Sequence, residues 1–267
     1  MAGGLLDRGE DQDGGIGVVT TLRLVPGGTF YLLSYPRSGS TLTRTYLSVL
    51  QGRPQLSQYV GDVVVPESGP LTDALDGVRL VKSHHFSPLH QPAIYLVRDG
   101  RNAMLSNLFL KFLSGGHAIS RVSDVCRGLR LLADEDEFWG DHVSEAVRMA
   151  DTSDMCFVRY EGLLADPVAV LQTMASFMGA TVPAAVLAES VRIVGESRRY
   201  RSDPGSGYGY VAEPGSIYDL LQRHRGGDYW RELFDTPARR YFHERGGTAG
   251  LLRFGYERSA EWWREGE

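Results

Sequence analysis

Residues Ser34 to Thr41 read Ser-Tyr-Pro-Arg-Ser-Gly-Ser-Thr, placing a guanidinium and a glycine among the hydroxyls of Ser34, Ser38, Ser40 and Thr41. The β-branched and aromatic run Thr29 to Leu33 precedes them, and Leu42, Tyr46, Leu47 and Leu50 follow at helical spacing. This pattern predicts a strand, a tight loop and a helix N-terminus. Such a loop aims backbone N–H groups at one point, and the helix start adds partial positive charge. The chemistry that fits is the grip of a phosphate or sulfate group. Two more cations stand where apolar runs end: Lys82 after Val78 to Val81, and Arg98 after Ala93 to Val97. In an α/β sheet, ligands sit beyond the carboxyl ends of the strands, so the loop, Lys82 and Arg98 are expected to converge.

The elements that must position these residues are legible as alternating periods. The runs Val78 to Val81, Ala93 to Val97 and Met155 to Val158 have the character of buried parallel strands. Met104, Leu105, Leu108, Phe109 and Phe112 mark an amphipathic helix after Asp99-Gly100-Arg101-Asn102, and a helical stretch of mixed charge is expected from about Ser123 to Ala150. Asp166-Pro167 reads as an N-cap with proline at the first helical position, opening a helix that Gly179 ends; another is expected from about Ala184 to Val194. Arg198 to Ile217 has no period and is rich in Gly, Ser, Tyr, Arg and Pro, the composition of a long functional loop. Strands alternating with helices predict an α/β three-layer sandwich around a central parallel sheet.

At 267 residues the chain is expected to form a flexible tail over 1–15 and a single domain over 16–267. Ile16 to Leu24, ahead of the Pro26-Gly27-Gly28 turn, has the character of a further short strand. A net charge of −5 argues against a broad nucleic-acid surface. Cys126 and Cys156, the only two cysteines, have apolar neighbours and read as buried small residues, neither a disulfide framework nor a zinc site. No metal is implied. The absence of an apolar leader or a bilayer-length apolar run leads us to expect a cytoplasmic protein without integral membrane association.

Four motifs stand in order: Tyr35 to Thr41; Val81-Lys82-Ser83-His84-His85; Tyr95 to Asn102 with Ser106; and Arg159-Tyr160-Glu161-Gly162-Leu163, followed by Asp166-Pro167. Together they resemble the sulfotransferases that use 3′-phosphoadenosine-5′-phosphosulfate (PAPS), over about Phe30 to Gly179. The resemblance implies a P-loop-like nucleotide-binding fold and transfer of a sulfuryl group from PAPS to a hydroxyl. It assigns Arg37, Ser38, Gly39, Ser40 and Thr41 to the 5′-phosphosulfate, Arg98 and Ser106 to the 3′-phosphate, and Tyr160 to the adenine. Arg37 stands where the family's soluble small-molecule members usually carry lysine, and Leu42 where they carry an adenine-stacking tryptophan. Trp139 to Val143 resembles a further stretch of the family. Arg225 and Gly226, within Arg223 to Asp228 and just before Trp230, resemble its basic glycine segment that closes over the 3′-phosphate. His84, two residues after Lys82, is implied as the general base that takes the acceptor's hydroxyl proton in an in-line displacement. Lys82 and Arg37 are implied to stabilise charge on the leaving nucleotide. On an extended segment only one of His84 and His85 can face the sulfate.

The alternative enzyme reading is an ATP-using P-loop kinase, but Gly-x-x-x-x-Gly-Lys-Ser/Thr is absent, as is an acidic magnesium ligand after an apolar strand. A non-catalytic nucleotide-binding module is the other alternative, against which Lys82 and His84 argue. The expected acceptor is a small molecule bearing a hydroxyl, such as a secondary metabolite, a glycoside or a glycolipid. Its pocket is expected from Gln58 to Asp73, Ser114 to Ser120 and Arg198 to Ile217, the last bearing Tyr200, Tyr208 and Tyr210. The Trp262-Trp263 pair reads as C-terminal packing.

Overall fold

The computed structural model describes residues 28–59, 64, 66, 69–86, 92–115, 124–135, 138–201 and 229–264. Five strands form one sheet: β1 (Thr29–Ser34), β2 (Leu56–Ser57), β3 (Arg79–Ser83), β4 (Ala93–Val97) and β5 (Met155–Arg159). Their order is β2-β3-β1-β4-β5, and every pairing is parallel. The connection from β3 to β4 therefore crosses β1, and the strand order reverses at β1. A crevice at that reversal is where an open α/β sheet binds its ligand.

Both faces of the sheet are covered, as the alternation of side chains requires. Leu32, Ile94, Leu96 and Val158 point to one face, under α1 (Ser40–Gln51), α6 (Pro167–Phe177) and α7 (Ala184–Arg201). Leu33, Ala93, Tyr95 and Val97 point to the other, under α2 (Gly100–Gly115), α3 (Val125–Glu135) and α4 (Trp139–Met149). The short helices α5 (Tyr160–Ala165), α8 (Trp230–Leu233), α9 (Thr236–Glu244) and α10 (Gly247–Arg253) complete the order. Phe242, Phe254 and Trp262 of the C-terminal segment join the second core. The expected α/β three-layer sandwich is the observed fold. Among the described residues, no helix is long and apolar enough to cross a membrane.

Asp166 caps α6 by accepting a bond from the Ala169 N–H, with Pro167 at the first turn. Trp262 is buried edge-on against Trp230 and Phe242, the packing role expected of it. Two expectations are corrected. The single helical stretch over Ser123 to Ala150 is two helices, α3 and α4. Phe138 takes an extended backbone ahead of α4 (φ −67°, ψ 142°) and is buried against Phe242. Burial of that ring overrides helix continuity. Helix α7 runs past Val194 to Arg201, into the segment read as loop. Arg192 supports it by bonding Glu189 and Glu196 one turn to either side. The Ile16 to Leu24 strand, the 1–15 tail and 202–217 of the expected loop lie outside the described residues.

Candidate active site

Three adjacent strand tips carry the site. Register pairs Leu33 with Ser83 and Ser34 with Leu96, so the ends of β3, β1 and β4 lie side by side. From β1 the chain turns through Tyr35 to Gly39 and enters α1 at Ser40. Arg37 takes a left-handed backbone at φ 67°, the only described non-glycine residue with positive φ. Such a conformation strains an L-residue by about 1–3 kcal/mol and is found where function over-determines the backbone. Gly39 also has positive φ, 98°, and a Cβ there would fall 2.3 Å from the Tyr160 ring. Only glycine satisfies both constraints. No side chain caps α1, and its first turn holds no acidic residue. Its N–H groups and dipole are thus arranged for an external anion.

The Ser38 hydroxyl is buried and has no hydrogen-bond partner among the described residues. A buried polar atom left this way costs about 1–3 kcal/mol unless a ligand satisfies it. Ser40 is buried at the start of α1, and Thr41 is exposed beside it.

The guanidinium of Arg98 connects the third tip to the loop. It donates to the Arg37 carbonyl at 2.8 Å and to the Tyr229 hydroxyl at 3.0 Å, and lies over the Tyr160 ring at 4.8 Å. Arg37 Nε donates to Ser106 Oγ at 3.2 Å, so helix α2 reaches the same point. Loss of surrounding water and the nearby Arg98 together push the Arg37 guanidinium below its usual value. Among the described residues, no carboxylate pairs with either arginine. Two guanidiniums held together in this way match a doubly anionic ligand. Asp99, which could have paired with Arg98, instead binds Arg101, which is buried between Trp230 at 3.6 Å and Trp262 at 4.7 Å. A Cβ at Gly100 would meet Trp139 at 2.3 Å. The turn leading from β4 into α2 is therefore pinned from both sides.

Lys82 is buried one position before the end of β3, with its ammonium 5.1 Å from the Tyr59 ring centroid. His84, just past β3, is half-buried, whereas His85 is exposed. The His84 Nδ1 lies 2.7 Å from the Ser34 carbonyl oxygen. A carbonyl only accepts, so Nδ1 carries a proton, and in the neutral ring the lone pair is then on Nε2. Of the two histidines, His84 is thus the one turned toward the β1 tip and its loop.

Residues 29–202 match the family model described as a sulfotransferase domain. The chain belongs to the sulfotransferase family. Its PAPS-dependent transferase activity follows from that membership and from the anion cradle described above. Similar solved folds include mouse sulfotransferase SULT7A1 complexed with PAP (18% identity, 91% of this chain and 90% of that one, TM-score 0.57). A retinol dehydratase in complex with androsterone and inactive cofactor PAP has 16% identity, coverages of 84% and 80%, and a TM-score of 0.53. The sulfotransferase domain of the Synechococcus PCC 7002 olefin synthase has 17% identity, coverages of 88% and 97%, and a TM-score of 0.50. At such identities the likeness is one of fold. A search of curated proteins returns no match.

Within this sulfotransferase domain, the loop, Ser106 and Arg98 are brought together, and Lys82 and His84 stand at the neighbouring tip. Tyr160 opens α5 and walls the loop against Gly39. Leu42 is buried in the α1 face of the core, so its side chain packs inward where a stacking tryptophan was the family pattern. Arg225 and Gly226 lie outside the described residues, as does Arg223.

Three residues of the site were not singled out from the sequence, although Tyr59 lies in the Gln58 to Asp73 segment expected to form the acceptor pocket and His142 in the family-like stretch Trp139 to Val143. Tyr59 accepts the His84 N–H at 3.0 Å. Tyr229 accepts from Arg98 and donates to the Asn102 carbonyl at 2.6 Å; burial pushes its phenol up to about 12. His142 lies 2.9 Å through Nε2 from the His84 carbonyl oxygen and 2.7 Å through Nδ1 from the Tyr95 hydroxyl. Burial pulls His142 down to about 4. Tyr229 could have been suspected from its place after the basic glycine segment. Nothing in the pattern around Tyr59 marks it, because its contact with the site is made by chain reversal.

Proposed function

We propose that the chain transfers a sulfuryl group from PAPS to the hydroxyl of a small-molecule acceptor with His84 as general base. The observation that supports this is the 2.7 Å contact from His84 Nδ1 to the Ser34 carbonyl, which leaves Nε2 as the basic nitrogen of the neutral ring. PAP in the mouse sulfotransferase and retinol dehydratase structures supports the donor class, and androsterone in the latter supports a small-molecule acceptor. The residues fit such a donor: the Ser38 hydroxyl lacks a partner, the α1 N-terminus is uncapped, and Arg37 and Arg98 lie together.

When bound, the donor supplies an electrophilic sulfuryl group. Ser38, Ser40, Thr41 and the N–H groups from Gly39 onward hold the 5′ side, with Arg37 over it. Arg98 and Ser106 hold the 3′-phosphate, and Tyr160 borders the adenine. Nε2 of His84 takes the acceptor's hydroxyl proton, while Lys82 and Arg37 offset negative charge developing on the nucleotide side. General-base assistance of this kind contributes about 10²–10⁴-fold. Burial of Lys82 against Tyr59 lowers local hydration and strengthens its field. Two unpaired, buried thiols, Cys126 and Cys156, support a reducing, cytoplasmic setting.

The test has two parts. Adenosine 3′,5′-bisphosphate at 100-fold over its Kd is expected to stabilise the fold by about 3 kcal/mol, read as a rise in Tm. Transfer of labelled sulfur from PAPS to a panel of hydroxylated acceptors is expected in the wild type and lost in His84→Ala, with bisphosphate affinity kept within about threefold. Retained transfer in His84→Ala removes the base assignment. Binding without transfer to any acceptor favours a non-catalytic module.

A further inference from the structure

The main chain of His84 lies beyond the last ladder position of β3, where neither its N–H nor its carbonyl is engaged by a neighbouring strand. Two side chains from distant segments take their place. Tyr59 accepts the His84 N–H at 3.0 Å, and the His84 carbonyl accepts from His142 Nε2 at 2.9 Å. His142 is itself over-determined. A proton on Nε2 leaves Nδ1 as an acceptor, which the Tyr95 hydroxyl meets at 2.7 Å from the centre of the sheet. Tyr35 packs edge-on to the His142 ring at 5.8 Å, and Phe86 lies against it at 4.6 Å. The ring cannot turn over without breaking its bonds to both the Tyr95 hydroxyl and the His84 carbonyl.

We infer that His142, oriented by Tyr95, is a positioning residue that fixes the His84 main chain so that the His84 ring stays bonded through Nδ1 to Ser34 and presents Nε2 to the reaction. This rests on the reading of His84 as the base. The chain of contacts is continuous: Tyr95 hydroxyl to His142, His142 to the His84 carbonyl, His84 Nδ1 to the Ser34 carbonyl. Each link has one donor and one acceptor: the His84 carbonyl fixes the tautomer of His142 and the place of the His84 main chain, and the Ser34 carbonyl fixes which nitrogen of His84 carries a proton. A displacement of about 1 Å at a reacting group can cost about 10²-fold in rate, which gives such a clamp its value. Glutamine can replace His142 in kind, because its amide offers one donor and one acceptor at similar separation. Leucine fills the space and offers neither.

The test reads the tautomer directly, with nitrogen-15 histidine spectra of the full chain at pH 8 and the His84 signals assigned by their loss in His84→Ala. In the wild type, His84 is expected as the Nδ1–H form. His142→Leu is expected to shift the ratio toward Nε2–H by at least about tenfold, and His142→Gln to restore it; adenosine 3′,5′-bisphosphate affinity should stay within about threefold in both. Tyr95→Phe, which removes only the hydroxyl serving His142, is expected to shift the ratio in the same direction, and it carries the test if His142→Leu does not fold. Wild-type His84 in the Nε2–H form overturns the inference. So does a wild-type ratio in a folded His142→Leu or in Tyr95→Phe. These spectra need no turnover, so failure of the sulfotransferase reading would show separately, as loss of bisphosphate binding or of transfer.

Discussion

Acidification to pH 5 should cost this protein stability through one buried ring, and replacing His142 with glutamine should remove that cost. Burial is the main cause that holds His142 down at about 4; the bond to the His84 carbonyl and the nearby Glu145 oppose it, while repulsion from His84 and His85, where they carry charge, reinforces it. In the unfolded chain the ring titrates near ~6.5. Between these values the unfolded state binds a proton that the native state refuses, so stability falls as pH falls. At pH 7 the difference is only a few tenths of a kcal/mol. At pH 5 it reaches about 2 kcal/mol, because the unfolded ring is almost fully charged and the native one almost fully neutral. With a urea m-value of about 3 kcal/mol/M for a chain of this size, the loss of about 1.8 kcal/mol between pH 7 and pH 5 is a midpoint change of about 0.6 M. The assay is urea unfolding of wild type and His142→Gln at pH 7 and pH 5. The wild-type midpoint should drop by about 0.6 M more than that of the variant, whose amide does not titrate. Equal drops in the two proteins would refute the reasoning, because they would mean that the native state accepts the proton on His142 without penalty.

Three further outcomes follow from the site. Ser38→Ala removes a buried hydroxyl that has no described partner, so unfolding without nucleotide should be unchanged or harder by up to about 1 kcal/mol, while bisphosphate affinity by calorimetry falls about fivefold or more; a clear loss of stability would show that the hydroxyl is already satisfied. Gly39→Ala places a Cβ 2.3 Å from the Tyr160 ring in a left-handed backbone, and urea unfolding should show a cost of about 3 kcal/mol with loss of bisphosphate binding; wild-type stability would contradict the loop geometry. Arg98→Ala should weaken the bisphosphate about 10–100-fold and flatten the salt dependence of binding, and an unchanged Kd would remove Arg98 from the site.

Much of this protein was open to reading in one dimension. The loop Tyr35 to Thr41 declares itself because strand, glycine turn and helix start are local events, each written within a few neighbouring residues. The strand runs Ala93 to Val97 and Met155 to Val158 are likewise short apolar stretches whose burial on both faces leaves a continuous signal. The Asp166-Pro167 cap is another local statement, and it holds atom for atom. The α3–α4 break was missed because the residue that makes it, Phe138, is helical by neither rule nor exception; it turns the chain only because Phe242 offers a place to bury the ring.

The sequence determined the cation and hydroxyl inventory, the parallel α/β class and the order of the motifs. Tertiary structure alone decided which histidine turns inward, since that depends on a carbonyl at Ser34 fifty positions earlier in the chain. It also decided that Arg98 would bind the Arg37 carbonyl and Tyr229 while Asp99 went to Arg101. It brought Tyr59 and His142 to the His84 main chain, and Tyr95 to His142, from a loop, a helix and a strand that share no local pattern. The physical reason is range. Propensity and periodicity act over one or two turns of chain, whereas a hydrogen bond is fixed by which groups the packed sheet leaves without a partner.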